Sequence, residues 1–297
     1  MRKLLPTLLA LAIVALVVTP FVLHFGQKRH DEVTIEFVRP AEGQPDPASG
    51  ENFAIAMAAV IENELSGFTG WRPNDLPPWG PGLAADNNAN RQLGILQALR
   101  ASVRVFKDDL TKVSSDVFDP NLVAAENNLR NDPTKWAFPS AESRYREAVA
   151  NLRAYAAGLK TAPPTSRPLN ARNTELVKLI ESWNDLLGDA HAELFRSNLS
   201  WFAIDDIFYH VQGTCHVIAH LIPAVAIEYR REVESRPALG RLLDEARQPL
   251  EKCATMKPLI VLNGSDTSVL ANHRRNLSAY VNEARQKLYS LRDEVEK

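Results

Sequence analysis

Between Leu199 and Arg236 the apolar residues Trp201, Ile204, Phe208, Val211, Cys215, Ile218, Ile222, Val225 and Tyr229 recur at alternating steps of three and four. That is the period of a long amphipathic α-helix. A second row, Ile207, Thr214, Val217, Leu221 and Ala224, runs beside it. A helix that is apolar on adjoining faces has to be covered on both, so this stretch reads as the central helix of a bundle. What remains is a polar strip of Asp205, Tyr209, Gln212, His216 and His220, flanked by Asp206 and His210.

The same period predicts further helices along the chain. One lies between Asn52 and Leu65, a second from Asn87 to Lys112, and a third from Pro120 to Leu129 behind Asp119. Ser140 starts another, with Tyr145, Val149, Leu152, Ala156 and Leu159 on its face. Thr174 is read as the cap of the next, whose row is Leu176, Ile180, Trp183, Leu187, Ala190 and Leu194. Ala238–Met256 and Thr267–Glu296 complete the set. The expected fold is all-α: an N-terminal transmembrane helix, a linker and an antiparallel bundle of about seven helices.

Leu4 to Phe25 is free of Asp, Glu, Lys and Arg. At helical rise it spans roughly 33 Å, enough to cross a bilayer. The run is long for a signal peptide, and no small-x-small cleavage site follows it. It is therefore expected to stay as an anchor in the lipid bilayer. Arg2 and Lys3 on one side nearly balance Lys28 and Arg29 on the other. The free amino terminus tips the orientation towards N-in, with the bulk of the chain in the periplasm of a Gram-negative cell. Residues 1–30 are then the anchor, 31–50 an extended Pro- and Gly-containing linker, and 51–297 the helical domain. The Pro-rich break at 161–170 either divides two subdomains or joins two antiparallel helices.

A formal net charge of −2, with no basic patch interleaved with aromatics, argues against nucleic acid as a partner. The sequence has no G-x-S-x-G, Walker loop, G-x-G-x-x-G or C-x-x-C motif, and no cofactor is expected from it. His216 and His220 share a helical face and have the spacing of two metal ligands, but lack the Glu of the HExxH signature. Asp205 and Asp206 are adjacent and point about 100° apart on a helix. Cys215 and Cys253 fall nearly level if their helices pair about a turn at Arg236, which in an oxidising compartment suits a disulfide. The stretch Ser66–Ala85 carries four prolines, four glycines, Trp71 and Trp79. It cannot be regular structure, and its tryptophans are costly to expose. It is expected to pack down as a loop, with Trp71, Asn74, Asp75 and Trp79 as candidate partner contacts beside Asp205, Tyr209 and Gln212.

SGFTGWRPNDL (Ser66–Leu76) and WFAIDDIFYHVQG (Trp201–Gly213), behind one apolar N-terminal segment, resemble a proteobacterial family of single-pass inner-membrane proteins known as a domain of unknown function. The resemblance covers most of the chain. It carries over Gly70, Trp71, Pro73, Asn74 and Asp75, then Trp201, Asp205, Asp206, Tyr209 and Gly213. It implies location and leaves activity open. The expected function is that of a membrane-anchored envelope protein, a non-catalytic scaffold or interaction module with an envelope protein partner. The alternatives are a bundle that binds a small molecule, lipid or peptide, and a metal-dependent enzyme using His216 and His220.

Overall fold

The computed structural model describes residues 4–26, 33–40, 47–67, 69–75, 86–112, 117–256, 258, 260–265 and 270–297. Among these the fold is all-α. Its helices are α1 (Leu4–Gly26), α2 (Glu51–Leu65), α3 (Asn87–Val105), α4 (Pro120–Leu129), α5 (Ala141–Gly158), α6 (Asn173–Phe195), α7 (Trp201–Glu228), α8 (Arg230–Ser235), α9 (Pro237–Thr255) and α10 (His273–Val295). A π turn, Phe106–Leu110, continues α3. After α1, eight described helices have ten residues or more, one for each stretch named from the periodicity.

Side-chain caps mark four helix starts among the described residues, those of α4, α5, α7 and α10. Asp119 accepts the Asn121 and Leu122 amides at 2.9 and 3.3 Å, with Pro120 in the first turn of α4. Ser140 and Ser200 cap α5 and α7 through Ser143 N and Ala203 N. Three boundaries depart from the sequence reading. Arg172, without a side-chain cap, precedes α6, so Thr174 already lies inside the helix. The last helix starts at His273, where Asn272 accepts the Arg275 amide. The central helix ends at Glu228, because Tyr229 leaves the helical region at φ −101° and ψ 28°.

α7 lies at the centre, packed by α2, α3, α6 and α9. It is long and apolar enough to cross a membrane, yet 72% of its most apolar window is buried, which is the signature of a core helix. α2, α4 and α5 group on one side and α6, α9 and α10 on the other, with α3 between them against α7. Their buried residues form one continuous core. The α3–α7 crossing is a backbone contact. A Cβ built on Gly94 would lie 1.9 Å from His210 O, and one on Gly213 would lie 2.0 Å from Arg91 O. No residue larger than glycine fits either place without parting the helices.

The described part of the linker lies along the body as an extended strap. Val33, Ile35 and Phe37 are partly buried against the core. The Val33 amide points at His220 Nε2, 3.4 Å away, and Val38 and Asn52 exchange two hydrogen bonds. The Glu228 carboxylate accepts the amides of Gly50, Asn52 and Phe53, so the end of α7 caps the start of α2. α1, by contrast, leaves Leu5, Leu8, Leu9, Leu11 and Val14 exposed.

Candidate functional site

The Trp71 loop is built into the body. Trp71 is 3% exposed, its indole N–H donates to Pro133 O at 2.9 Å, and its ring meets Tyr145 edge-on. Beneath it, Arg91 and Glu64 form a fully buried ion pair at 2.9 Å. Gln92 ties that pair to the loop, donating to Glu64 and to Gly70 O and accepting the Arg72 amide. Arg72 pairs with Asp75, whose carboxyl is pushed above its usual range by burial, with the Arg72 charge opposing. Asn74 reaches Lys135 O and Glu142. Trp71 is thus a buried anchor that offers no surface to a partner. Trp79 lies outside the described residues.

What the loop does hold in place is an exposed turn between α4 and α5. Trp136 is 65% exposed and Phe138 93% exposed. Phe138 has φ 53°, a left-handed conformation that bulky side chains rarely adopt. Nothing in the spacing of this stretch marks it as a surface feature. Two aromatics within three residues, ahead of Pro139, are the one available signal.

The polar strip of α7 divides into three regions. At its start, carboxylate oxygens of Asp86, Asp205 and Asp206 lie within 4.8 Å of one another. Asn90 donates to Asp206 at 2.7 Å. Burial, and then the charge of Asp86, push the Asp206 carboxyl up to about 6. Beside it Asp189, Glu193, Ile207 and His210 line a groove of about 300 Å³. Burial lowers the His210 pKa. Asp189, on α6, shares this groove with Asp206 and His210, whereas His191 packs at a 43° tilt against Phe195.

The middle of the strip is structural. Tyr209 donates to Pro258 O at 3.1 Å and Gln212 to Met256 O at 2.6 Å, fastening α7 to the end of α9. Further along, the His216 and His220 rings lie against each other, with centroids 4.3 Å apart and planes tilted by 47°. They line a cleft of about 390 Å³ with Arg247, Glu251 and the strap residues Val33 and Phe37. His220 Nδ1 lies 2.7 Å from His216 O, so it carries the proton, and Nε2 faces the Val33 amide. Burial lowers the His220 pKa, partly offset by the bond to the His216 carbonyl. Both of its nitrogens are therefore engaged by backbone, and a metal here would have to displace one contact.

Cys215 and Cys253 meet in the core between α7 and α9, as their predicted levels require. Both are buried and carry free thiols in this structure. Cys253 donates to Leu277 O, and burial followed by the hydrogen bond to Cys215 raises its pKa well above the ordinary thiol value. At that depth the pair packs as small apolar residues.

Together the fold and these surfaces define a helical bundle with an apolar leading helix and a strapped linker. Residues 3–198 and 188–297 match the profile of a family described as uncharacterized proteins conserved in bacteria, DUF2333. The chain belongs to that family. No curated protein and no solved structure matches it.

Proposed function

We propose that this chain is a membrane-tethered interaction module of the bacterial envelope. α1 crosses the inner membrane and α2–α10 stand in the periplasm, where they bind an envelope protein. The observation that carries the tether is α1 itself. It has 23 residues, about 35 Å at helical rise, and exposes one apolar side chain after another to its surroundings. Water does not tolerate such a surface. The partner surface is the α4–α5 turn, where Trp136 and Phe138 project from a loop fastened to the buried Trp71 anchor. Exposed aromatics on a rigid support are the usual energetic centre of an interface.

The test is crosslinking of the full-length protein in native membranes, followed by mass spectrometry. A partner captured by the wild type and lost in Trp136→Ala/Phe138→Ala, with an unchanged melting temperature, supports the reading. The same proteins captured by both would refute this surface.

A second reading is favoured by the cleft at His216 and His220, whose size and mixed lining suit a small ligand or short peptide. A ligand there is expected to copurify and to be lost in Ala219→Trp, which fills the cleft. Metal-dependent chemistry at the same histidines would be visible as stoichiometric metal in the purified full-length protein.

A further inference from the structure

Outside α1, the exposed large apolar side chains are unevenly placed. Of the eight among the described residues, five, Phe195, Trp201, Phe202, Ile260 and Leu270, belong to one end of the body. That end is where α6 stops, α7 starts and the segment leading into α10 folds back. Trp201 donates to Val261 O at 2.9 Å and packs edge-on against Phe202, which is 72% exposed. Arg274 bonds the carbonyls of Leu194 and Arg196, closing the tip. Arg196 and Arg275 are exposed around it. The opposite end, by contrast, presents α8, whose sequence is RREVES.

The strap fixes which end faces the anchor. Val33 sits beside His220, and Val38 beside Asn52, which is bonded to Glu228. The chain therefore enters from the α7 start and runs towards the α7 end. Trp201 lies 19 residues before His220, about 28 Å along the helix. Seven peptide steps separate Gly26 from Val33, and fully extended they reach about 25 Å. A reach of at most that length allows the end of α1 to lie level with the first turn of α7.

We infer that the aromatic tip formed by Phe195, Trp201 and Phe202 rests in the interface of the same bilayer that holds α1. This rests on the tether reading above. Tryptophan and phenylalanine at headgroup depth, with arginines beside them, are the side chains that interface accepts best. The body then stands upright on the membrane with the α4–α5 turn on its flank, and its position does not depend on the anchor alone.

The chain has five tryptophans and none lies in α1, so lipid-borne quenchers of indole fluorescence report on the body. The full-length protein is reconstituted in phosphatidylethanolamine–phosphatidylglycerol vesicles, with or without lipids brominated near the top of the acyl chains. Brominated lipid is expected to quench the wild type and Trp136→Phe, and to leave Trp201→Phe unquenched. Phe202→Glu, at an exposed position, is expected to weaken quenching with no change in circular dichroism. No quenching of the wild type, or undiminished quenching in Trp201→Phe, overturns the inference. Flotation after an alkaline carbonate wash separates the two readings. A protein that floats unquenched keeps its tether and loses the tip contact, and one that does not float loses both.

Discussion

The tightest place in this molecule is the α3–α7 crossing, and a single methyl group tests it. In Gly213→Ala the new Cβ meets Arg91 O at 2.0 Å and Ile95 N at 2.9 Å. Both obstacles are backbone, so no rotamer change relieves them. Bringing the first contact out to the 3.4 Å of ordinary packing moves the helices apart by about 1.4 Å. A gap of 0.5–1 Å already forfeits a quarter to a half of each dispersion contact. Overpacking of a core costs about 1–3 kcal/mol, occasionally more. A backbone clash at the central crossing falls among the occasional cases above that range, at about 4 kcal/mol. The better helix propensity of alanine returns about 1 kcal/mol. The net loss of about 3 kcal/mol lowers Tm by roughly 6–12 °C for a body of this size.

Gly188→Ala is the matched control. Its Cβ meets nothing nearer than Arg285 Nη2 at 3.3 Å, the mobile end of a long side chain. There the propensity gain of about 0.5–1 kcal/mol stands nearly alone and Tm rises slightly. Both proteins are melted at full length in detergent micelles, followed by near-ultraviolet circular dichroism. Equal shifts of the same sign, or a Gly213→Ala protein as stable as wild type, would refute the backbone-contact description.

Three further outcomes are expected. Glu64→Gln leaves the Arg91 guanidinium buried without a counter-charge and costs about 3–5 kcal/mol, read as a lower urea midpoint. Asp206, held up to about 6 by burial and Asp86, takes up a proton in the folded state before it does in the unfolded chain. Its contribution therefore favours the fold below about pH 4 and is lost as pH rises through about 6. Asp206→Asn is expected to gain stability relative to wild type above pH 6 and to flatten that part of the pH profile; an unchanged profile contradicts the assignment. Cys215 and Cys253 are expected to resist maleimide in the folded protein and to titrate as two thiols after denaturation without reductant. A zero count would mean they are bonded.

What was legible beforehand follows from the physics of each element. The α7 row could be read because burial on several sides forces an unbroken three-four spacing. The levels of Cys215 and Cys253 followed from two helices joined by a short turn. The burial of Trp71 followed from the cost of exposing indole, although its partners Pro133 and Tyr145 are 62 and 74 residues away and had no local signature. Gly94 and Gly213 look like weak helix positions until the neighbouring backbone is in place. The break at Tyr229 was hidden because Arg230–Ser235 resumes helix at once. The exposed Trp136 and Phe138, and the gathering of Phe195, Trp201 and Phe202 with Ile260 and Leu270, depend on which ends of the bundle coincide. Hydrophobic period alone carries no such information.

Everything proposed for this protein depends on the tether and on the side of the membrane where it leaves the body. The most direct measurement is protease accessibility of the full-length protein in intact spheroplasts, together with carbonate extraction of the membranes. The protein is expected to stay in the carbonate pellet, and its body, residues 51–297, to be digested by protease added outside. A protein released by carbonate, or a body protected until the spheroplasts are lysed, would contradict this arrangement.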